Sequence, residues 1–219
     1  MKILVFVPVW KRPEITEICF MGINRLQKVP GFEVKGFAVI SEETMIPLCE
    51  KYGIDWCITK NHPLGAKKNY GVSQAMRKNF DYLVDIGSDD LLKDEFLELY
   101  SWDRPVFGLM DFLLLDATQT KCKRLTTKVP RFGAGRAIRK DAITKDLWHP
   151  SATKGMDNYS NFQLALDGSG VKGVRSEDPV LVELKSEVNI HKYRLVPGKK
   201  YDFDSALNGL SEQEVNAIK

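Results

Sequence analysis

Residues Lys2 to Pro8 form an almost unbroken run of β-branched and aromatic side chains. Such a run suits a strand covered on both faces within a largely parallel sheet. Pro13 then starts a helix to about Lys28, closed by Pro30-Gly31, because proline fits the first helical turn and glycine follows a helix end. A second strand is predicted over Val34 to Ile40 and a helix over Glu43 to Tyr52, ended by Gly53. A short third strand follows at Ile54 to Thr59. Val72, Ala75, Met76 and Phe80 recur at helical spacing, so Leu64 to Asn79 reads as a helix packed on the sheet. Tyr82 to Ile86 is the fourth strand, followed by the acidic turn Gly87-Ser88-Asp89-Asp90 and a helix near Leu92 to Tyr100.

The pattern changes in the second half. Val106 to Leu115 reads as one strand, Lys121 to Lys128 as a basic strand or hairpin, and Gly173 to Leu184 as one or two strands. Asp157 to Leu166 is a predicted helix, and Ser211 caps a terminal helix ending at Ile218. Alternating strands and helices without repeat or Gly/Ser linker place the chain in the α/β class. The expectation is a single domain over residues 1–219, with helices flanking a mostly parallel sheet.

Composition changes little. Of 219 residues, 43% are hydrophobic and 28% charged, which excludes extended disorder. Lys and Arg number 32 against 29 Asp and Glu, a balance too even to announce a nucleic-acid binder. Cys19, Cys49, Cys57 and Cys122 lack paired spacing and read as reduced thiols. The apolar run Ile3 to Val9 is far shorter than a membrane span and carries no signal-peptide pattern, so a cytoplasmic protein without a span is expected.

Three places carry candidate chemistry. Asp89 and Asp90, at the carboxyl end of a central strand where α/β folds bind ligands, offer hard oxygen donors to Mg2+ or Mn2+. The same Ser88, Asp89 and Asp90 also suit capping of the next helix. Lys67 and Lys68 fall in the first turn of a helix, where a bound diphosphate would offset their repulsion by the helix dipole; the alternative is that both snorkel to solvent. Asp157 opens a helix as either a base or a cap. His62, His149 and His191 show no zinc spacing. Gly133-Ala134-Gly135 lacks the rest of a dinucleotide fingerprint, and no G-x-x-x-x-G-K-[ST] loop occurs.

Taken in order, the segments resemble a family 2-type glycosyltransferase of the GT-A fold, in a small phage-like or bacterial subgroup. Val7-Pro8-Val9-Trp10-Lys11-Arg12 resembles the first strand and nucleotide-binding turn. Leu64-Gly65-Ala66-Lys67-Lys68-Asn69-Tyr70-Gly71 resembles the family's G-x-x-x-R-N-x-G helix start, with Lys68 for Arg. Gly87-Ser88-Asp89-Asp90 resembles the D-x-D-D metal motif, with Gly87 for the leading Asp. Phe132 to Ile138 resembles a strand-to-helix stretch on the acceptor side, Gly155-Met156-Asp157 the acidic motif that supplies the base, and Glu183-Leu184-Lys185 through Asn189-Ile190-His191 a closing D-I-K…N-I stretch.

The resemblance implies a Rossmann-like nucleotide-diphospho-sugar transferase domain, with residues 1–90 forming the nucleotide-sugar half and 91–219 the acceptor half. It implies inverting transfer of a hexosyl or pentosyl unit from a nucleotide-sugar, UDP-linked first, to a hydroxyl. Mn2+ or Mg2+ would sit on Asp90 and Asp89, with His191 completing the shell. Pro8, Trp10, Arg12, Lys67, Lys68, Asn69, Ser88 and Asp89 would hold the donor, Glu42 or Glu43 would face the ribose, Gly135 and Arg136 would lie on the acceptor side, and Asp157 would be the base. A saccharide acceptor stands first. The basic cluster Lys121, Lys123, Arg124, Lys128, Arg131, Arg136, Arg139 and Lys140 leaves an anionic acceptor, modified DNA included, as a second expectation. Two rivals are a nucleotidyltransferase, whose glycine-rich loop after the first strand is missing, and a degenerate nucleotide- or glycan-binding module, kept open by Gly87.

Overall fold

A computed structural model describes residues 1–130, 132–143, 146–153, 159–160, 164, 170–185, 193 and 196–219. Strand β1 (Lys2–Pro8) shows why the opening run folds as it does. Ile3, Val5 and Val7 enter one hydrophobic cluster while Leu4 and Phe6 enter another on the opposite face, the alternation of a pleated strand covered on both sides. It lies between β2 (Glu33–Ile40) and β4 (Tyr82–Asp85), parallel to both, and β2 pairs in parallel with β3 (Asp55–Ile58). Helices α1 (Pro13–Leu26), α2 (Ile46–Lys51) and α3 (Leu64–Ala75) make the connections. The segment expected as one helix over Glu43 to Tyr52 splits into a 3-10 turn, Glu43–Met45, and α2. Pro47, in the first turn of α2, has no N–H with which to continue a helix begun earlier.

Beyond the acidic turn lie β5 (Asp90–Leu92), a four-residue helix α4 (Phe96–Leu99), β6 (Val106–Leu109), β7 (Asp111–Asp116), β8 (Lys121–Thr126), β9 (Arg136–Arg139), β10 (Lys172–Val174), β11 (Leu181–Lys185), β12 (Lys199–Tyr201), α5 (Phe203–Leu207) and α6 (Glu212–Ile218). Among the described residues one sheet runs β10-β6-β9-β4-β1-β2-β3 and a second runs β12-β8-β7-β11-β5. The first is mixed: β9 runs antiparallel to both neighbours and the other pairs are parallel.

Two further expectations need correction. The single strand over Val106 to Leu115 is two strands in different sheets, because the chain crosses between them at Met110. Both pieces are buried throughout, so hydrophobicity carries no mark of the switch, although buried Asp111, paired with Arg124, sits at the crossing. The helix near Leu92 to Tyr100 shrinks to α4, since Asp90 to Leu92 pair with β11 instead, Leu92 opposite Leu181 and Asp90 opposite Glu183.

The terminal helix forms as its sequence dictates. Ser211 and Glu214 make a capping box at its start. Glu214, fully buried, accepts from Arg25 Nε at 2.8 Å and so ties α6 to α1. Of the predicted helix from Asp157 to Leu166, only Tyr159, Ser160 and Leu164 are described, and they are helical. Among the described residues no helix is long and apolar enough to cross a membrane.

Candidate active site

A cleft of about 760 Å3 opens at the carboxyl ends of β1 and β4 and is closed on its far side by the second sheet. Pro8 ends β1, and the chain then turns through Trp10, Lys11 and Arg12 into α1. Lys11 and Arg12 both hold left-handed backbone conformations, with φ of 56° and 58°. These cost side-chain-bearing residues free energy and gather at functional sites. Glu42 holds the turn by accepting from the Lys11 N–H at 2.9 Å, so its carboxylate braces backbone beside the cleft and does not line it. Trp10, 40% exposed, stands at the mouth edge-on to His62.

Arg12 reaches across to the acidic turn. Its guanidinium donates to Ser88 Oγ at 2.9 Å and meets Asp89 Oδ2 at 3.3 Å. Asp90 is not a helix cap: it begins β5, and its carboxylate accepts from the Gly87 N–H at 2.5 Å. A Cβ on Gly87 would lie 2.7 Å from Asp89 Oδ1 and 3.1 Å from Asp90 Oδ2. The two carboxylates thus fold back into the space that a leading Asp would take. Burial pushes the Asp90 carboxyl well above its usual range, and repulsion from Asp89 and Glu183 adds to it. Glu183, on β11 and ion-paired with Lys185, is raised for the same reason, burial first and Asp89 next among the raising causes.

The opposite wall comes from α3. Neither lysine there snorkels: Lys67 and Lys68 are 2% and 6% exposed. Lys68 Nζ pairs with Asp85 at 2.7 Å and lies 4.1 Å from the centre of the Trp148 ring. Lys67 Nζ donates to Val9 O at 2.5 Å and Asn61 Oδ1 at 3.2 Å, leaving its third N–H for the cleft it lines. Burial lowers the Lys67 pKa from 10.5 to about 8, partly opposed by the Glu42 carboxylate. The Cys57 thiol, itself pushed up to about 11 by burial, stays neutral there. Because the folded pKa lies below the unfolded one, this lysine's drag on stability is relieved as pH rises from about 8 toward 10.5. Ligand binding has the opposite trend. If Lys67 contacts an anion, affinity for UDP should fall about tenfold between about pH 7 and about pH 9 as the ammonium is lost. Calorimetry at the two pH values checks this, and Lys67→Met should flatten the profile.

Asp89 and Asp90, with Glu183 across the strand pair, give hard oxygen donors whose crowded charge a divalent cation would neutralise. Mg2+ characteristically takes one or two carboxylates and completes its shell with water and substrate phosphates. The donor set fits that mode. Among the described residues no three His, Cys, Asp or Glu side chains already form a cage for a metal ion.

The structure therefore brings Pro8, Trp10, Arg12, Lys67, Lys68, Ser88, Asp89 and Asp90 to one cleft. Asn69 is placed elsewhere: its amide clasps the Trp148 backbone, donating to O at 2.7 Å and accepting from N at 3.1 Å. Arg136 is wholly buried, donating to Ser160 Oγ and Phe132 O. Gly135 (φ 74°) turns the chain into β9, where a Cβ would meet Leu109 at 2.5 Å. Neither lines the cleft. Asp157 and His191 lie outside the described residues. The basic cluster is divided: Lys121, Lys123 and Arg124 lie on β8 of the second sheet, Arg136 and Arg139 on β9 of the first, and Lys128 and Lys140 on neither, while Arg124 pairs with Asp111, Lys123 with the carbonyls of Tyr193 and Val196, and Arg139 with Asp141. Arg131 lies outside the described residues.

Sequence reasoning did not assign Asp85 or Phe112 to the site, and it named Phe132 and Glu183 only within the acceptor-side and closing stretches of the family resemblance. Asp85 holds Lys68, Glu183 adds the third acid, and Phe112 and Phe132, edge to face at 4.5 Å, build an apolar wall. Phe132 and Glu183 carried a signal, as the first residues of those two stretches, and Asp85 and Phe112 carried none.

These elements build an α/β fold with helices and a mixed sheet. No protein-family model and no curated protein matches the chain, but solved structures do. S. aureus TarS, residues 1–349, matches with a TM-score of 0.58 at 13% identity, over 84% of this chain and 60% of that one. The CMP:2-keto-3-deoxy-manno-octonic acid synthetase complexed with CTP matches with a TM-score of 0.52 at 12% identity, over 100% of this chain and 98% of that one. The inositol-1-phosphate CTP transferase of T. maritima matches with a TM-score of 0.52 at 13% identity, covering 96% and 97%. At such identities the likeness is one of fold, and the chain spans 60% of the length of the TarS structure.

Proposed function

We propose that the chain is a metal-dependent inverting glycosyltransferase moving a sugar from a nucleotide-sugar, UDP-linked first, to a hydroxyl of a saccharide acceptor. The observation that carries this reading is the opposition, across one cleft, of the acid turn Asp89-Asp90 and the inward-facing Lys67. A leaving diphosphate needs positive charge on it as its bond breaks, and preorganised cations in a cleft supply it without reorganisation. The third N–H of Lys67 binds a phosphate oxygen. Arg12 holds Asp89 and Ser88 in place, and Trp10 offers its exposed ring to the nucleobase. Asp90 and Asp89, with His191 as a further ligand, would hold Mn2+ or Mg2+, which would neutralise charge on the diphosphate.

Asp157 deprotonates the acceptor hydroxyl on the face opposite the leaving group, the single-displacement geometry that inverts the anomeric centre. A base that touches the acceptor contributes to the transition state and not to donor affinity. Asp157→Asn should therefore bind UDP as the wild type does yet transfer roughly 10²–10⁴-fold more slowly. Wild-type turnover in that variant would leave Asp157 a helix cap.

A nucleotidyltransferase is the second reading, favoured by the two CTP-associated structures that match over nearly the whole chain. Against it, the segment after β1 is Val9-Trp10-Lys11-Arg12, without the glycine-rich loop of that chemistry. Product analysis with Mn2+ separates them: release of UDP from UDP-sugars supports the transferase, and release of pyrophosphate from CTP with a sugar phosphate or sugar acid supports the rival.

A further inference from the structure

Behind the acid turn, where β5 leaves it, lies a second cavity of about 380 Å3. It shares no lining residue with the cleft. Lys93, the residue after β5, forms its floor, and the rim carries Glu95, Asp178, Tyr201, Ser205 and Asn208. Lys93 is 5% exposed, and its backbone is fixed by donation to Val180 O at 2.8 Å. Its stem runs beside Gly209, where a Cβ would come 3.3 Å from Cδ. Among the described residues its ammonium has no hydrogen bond and no ion pair; Glu95 and Asp178 act on it only through space. Asp178 instead accepts from Tyr201 O–H at 3.3 Å.

The Lys93 side chain is mostly buried and lines the cavity, and burial lowers its pKa. The chemistry of the lining narrows what could bind there. Lysine only donates hydrogen bonds and ionised carboxylates only accept them. A phosphate or carboxylate ligand would satisfy Lys93 but face two rim carboxylates against one cation. A hydroxyl does both, accepting from the floor and donating to the rim, and adjacent hydroxyls on one ring do so at several points. The volume lies within the range of small-molecule sites.

We propose that this cavity is a second, saccharide-binding site, taking a neutral sugar whose hydroxyls accept from Lys93 and donate to Glu95 and Asp178. It stands independently of the assignment of the cleft. Saturation-transfer NMR and calorimetry on the whole chain, with D-glucose, D-galactose, N-acetyl-D-glucosamine and maltose as probes and inorganic phosphate as the anionic control, test it. At least one sugar should bind saturably. Lys93→Met should weaken that binding by about tenfold or more, the worth of a hydrogen bond to a charged group, and Asp178→Asn should weaken it independently. Far-UV circular dichroism and the melting temperature should stay close to wild type in both variants, which reports that they fold. Tighter binding of maltose than glucose assigns the site to a glycan chain, and equal affinity assigns it to a single sugar. No saturable sugar binding, binding of phosphate in its place, or sugar affinity untouched by Lys93→Met would overturn the proposal.

Discussion

Asp90→Asn should silence transfer and at the same time make the protein more stable. The substitution keeps a carbonyl oxygen to accept from Gly87 N–H but removes the charge that the proposed metal site relies on, so turnover should fall by at least about 10²-fold, as when a preorganised electrostatic contact is lost. Stability moves the other way. The folded pKa of Asp90 is raised, by burial first and then by Asp89 and Glu183, so the folded state binds a proton more readily than the unfolded chain. The cost of ionised Asp90 is thus fully present above its folded pKa and disappears as pH falls toward the usual carboxylate range. Melting temperatures at neutral and acid pH check this: the variant should melt higher than the wild type at neutral pH, with the gap closing in acid. A lower melting temperature with turnover intact would make Asp90 a structural residue.

Asp85→Ala should cause the largest loss of stability. Asp85 and Lys68 form a buried pair, 2% and 8% exposed in their side chains. Removing one partner strands the other charge, at a cost of roughly 3–5 kcal/mol. Replacing both, as Lys68→Met with Asp85→Leu, should recover part of that loss, because the Lys68 charge is then no longer left buried without its carboxylate. Urea denaturation of the three variants reads the difference. The Trp148 loop should loosen with the pair, since the same ammonium lies over the indole ring and neighbouring Asn69 clasps that residue's backbone.

What was legible in the chain followed local physics. The β1 run and the helix starting at Pro13 emerged near their expected bounds, as did the Ser211 cap, because burial on both faces, a fixed φ and a reciprocal cap leave local marks. Lys67, Lys68, Asp89 and Asp90 were picked out for their place at element ends, and they line one cleft. What stayed hidden is non-local. Hydrophobic alternation says which face a residue takes but not which sheet its strand joins, so the crossing at Met110 left no mark beyond the charged Asp111 within the apolar run. The pairing of Asp90 with Glu183 depends on β11 returning beside β5 from half a chain away. Asn69, polar and near the site in sequence, serves the fold because Trp148 comes within its reach. The basic cluster dispersed because nearness in sequence across two sheets is not nearness in space.

Calorimetric titration of the wild-type chain with UDP, once with Mn2+ and once with EDTA, tests the central claim most directly. Tight binding with Mn2+ that weakens sharply in EDTA is the expected result, with Asp90→Ala showing the weak affinity under both conditions. Equal affinity with and without the metal, or no UDP binding in either, would contradict a metal-dependent nucleotide-sugar site at Asp89 and Asp90.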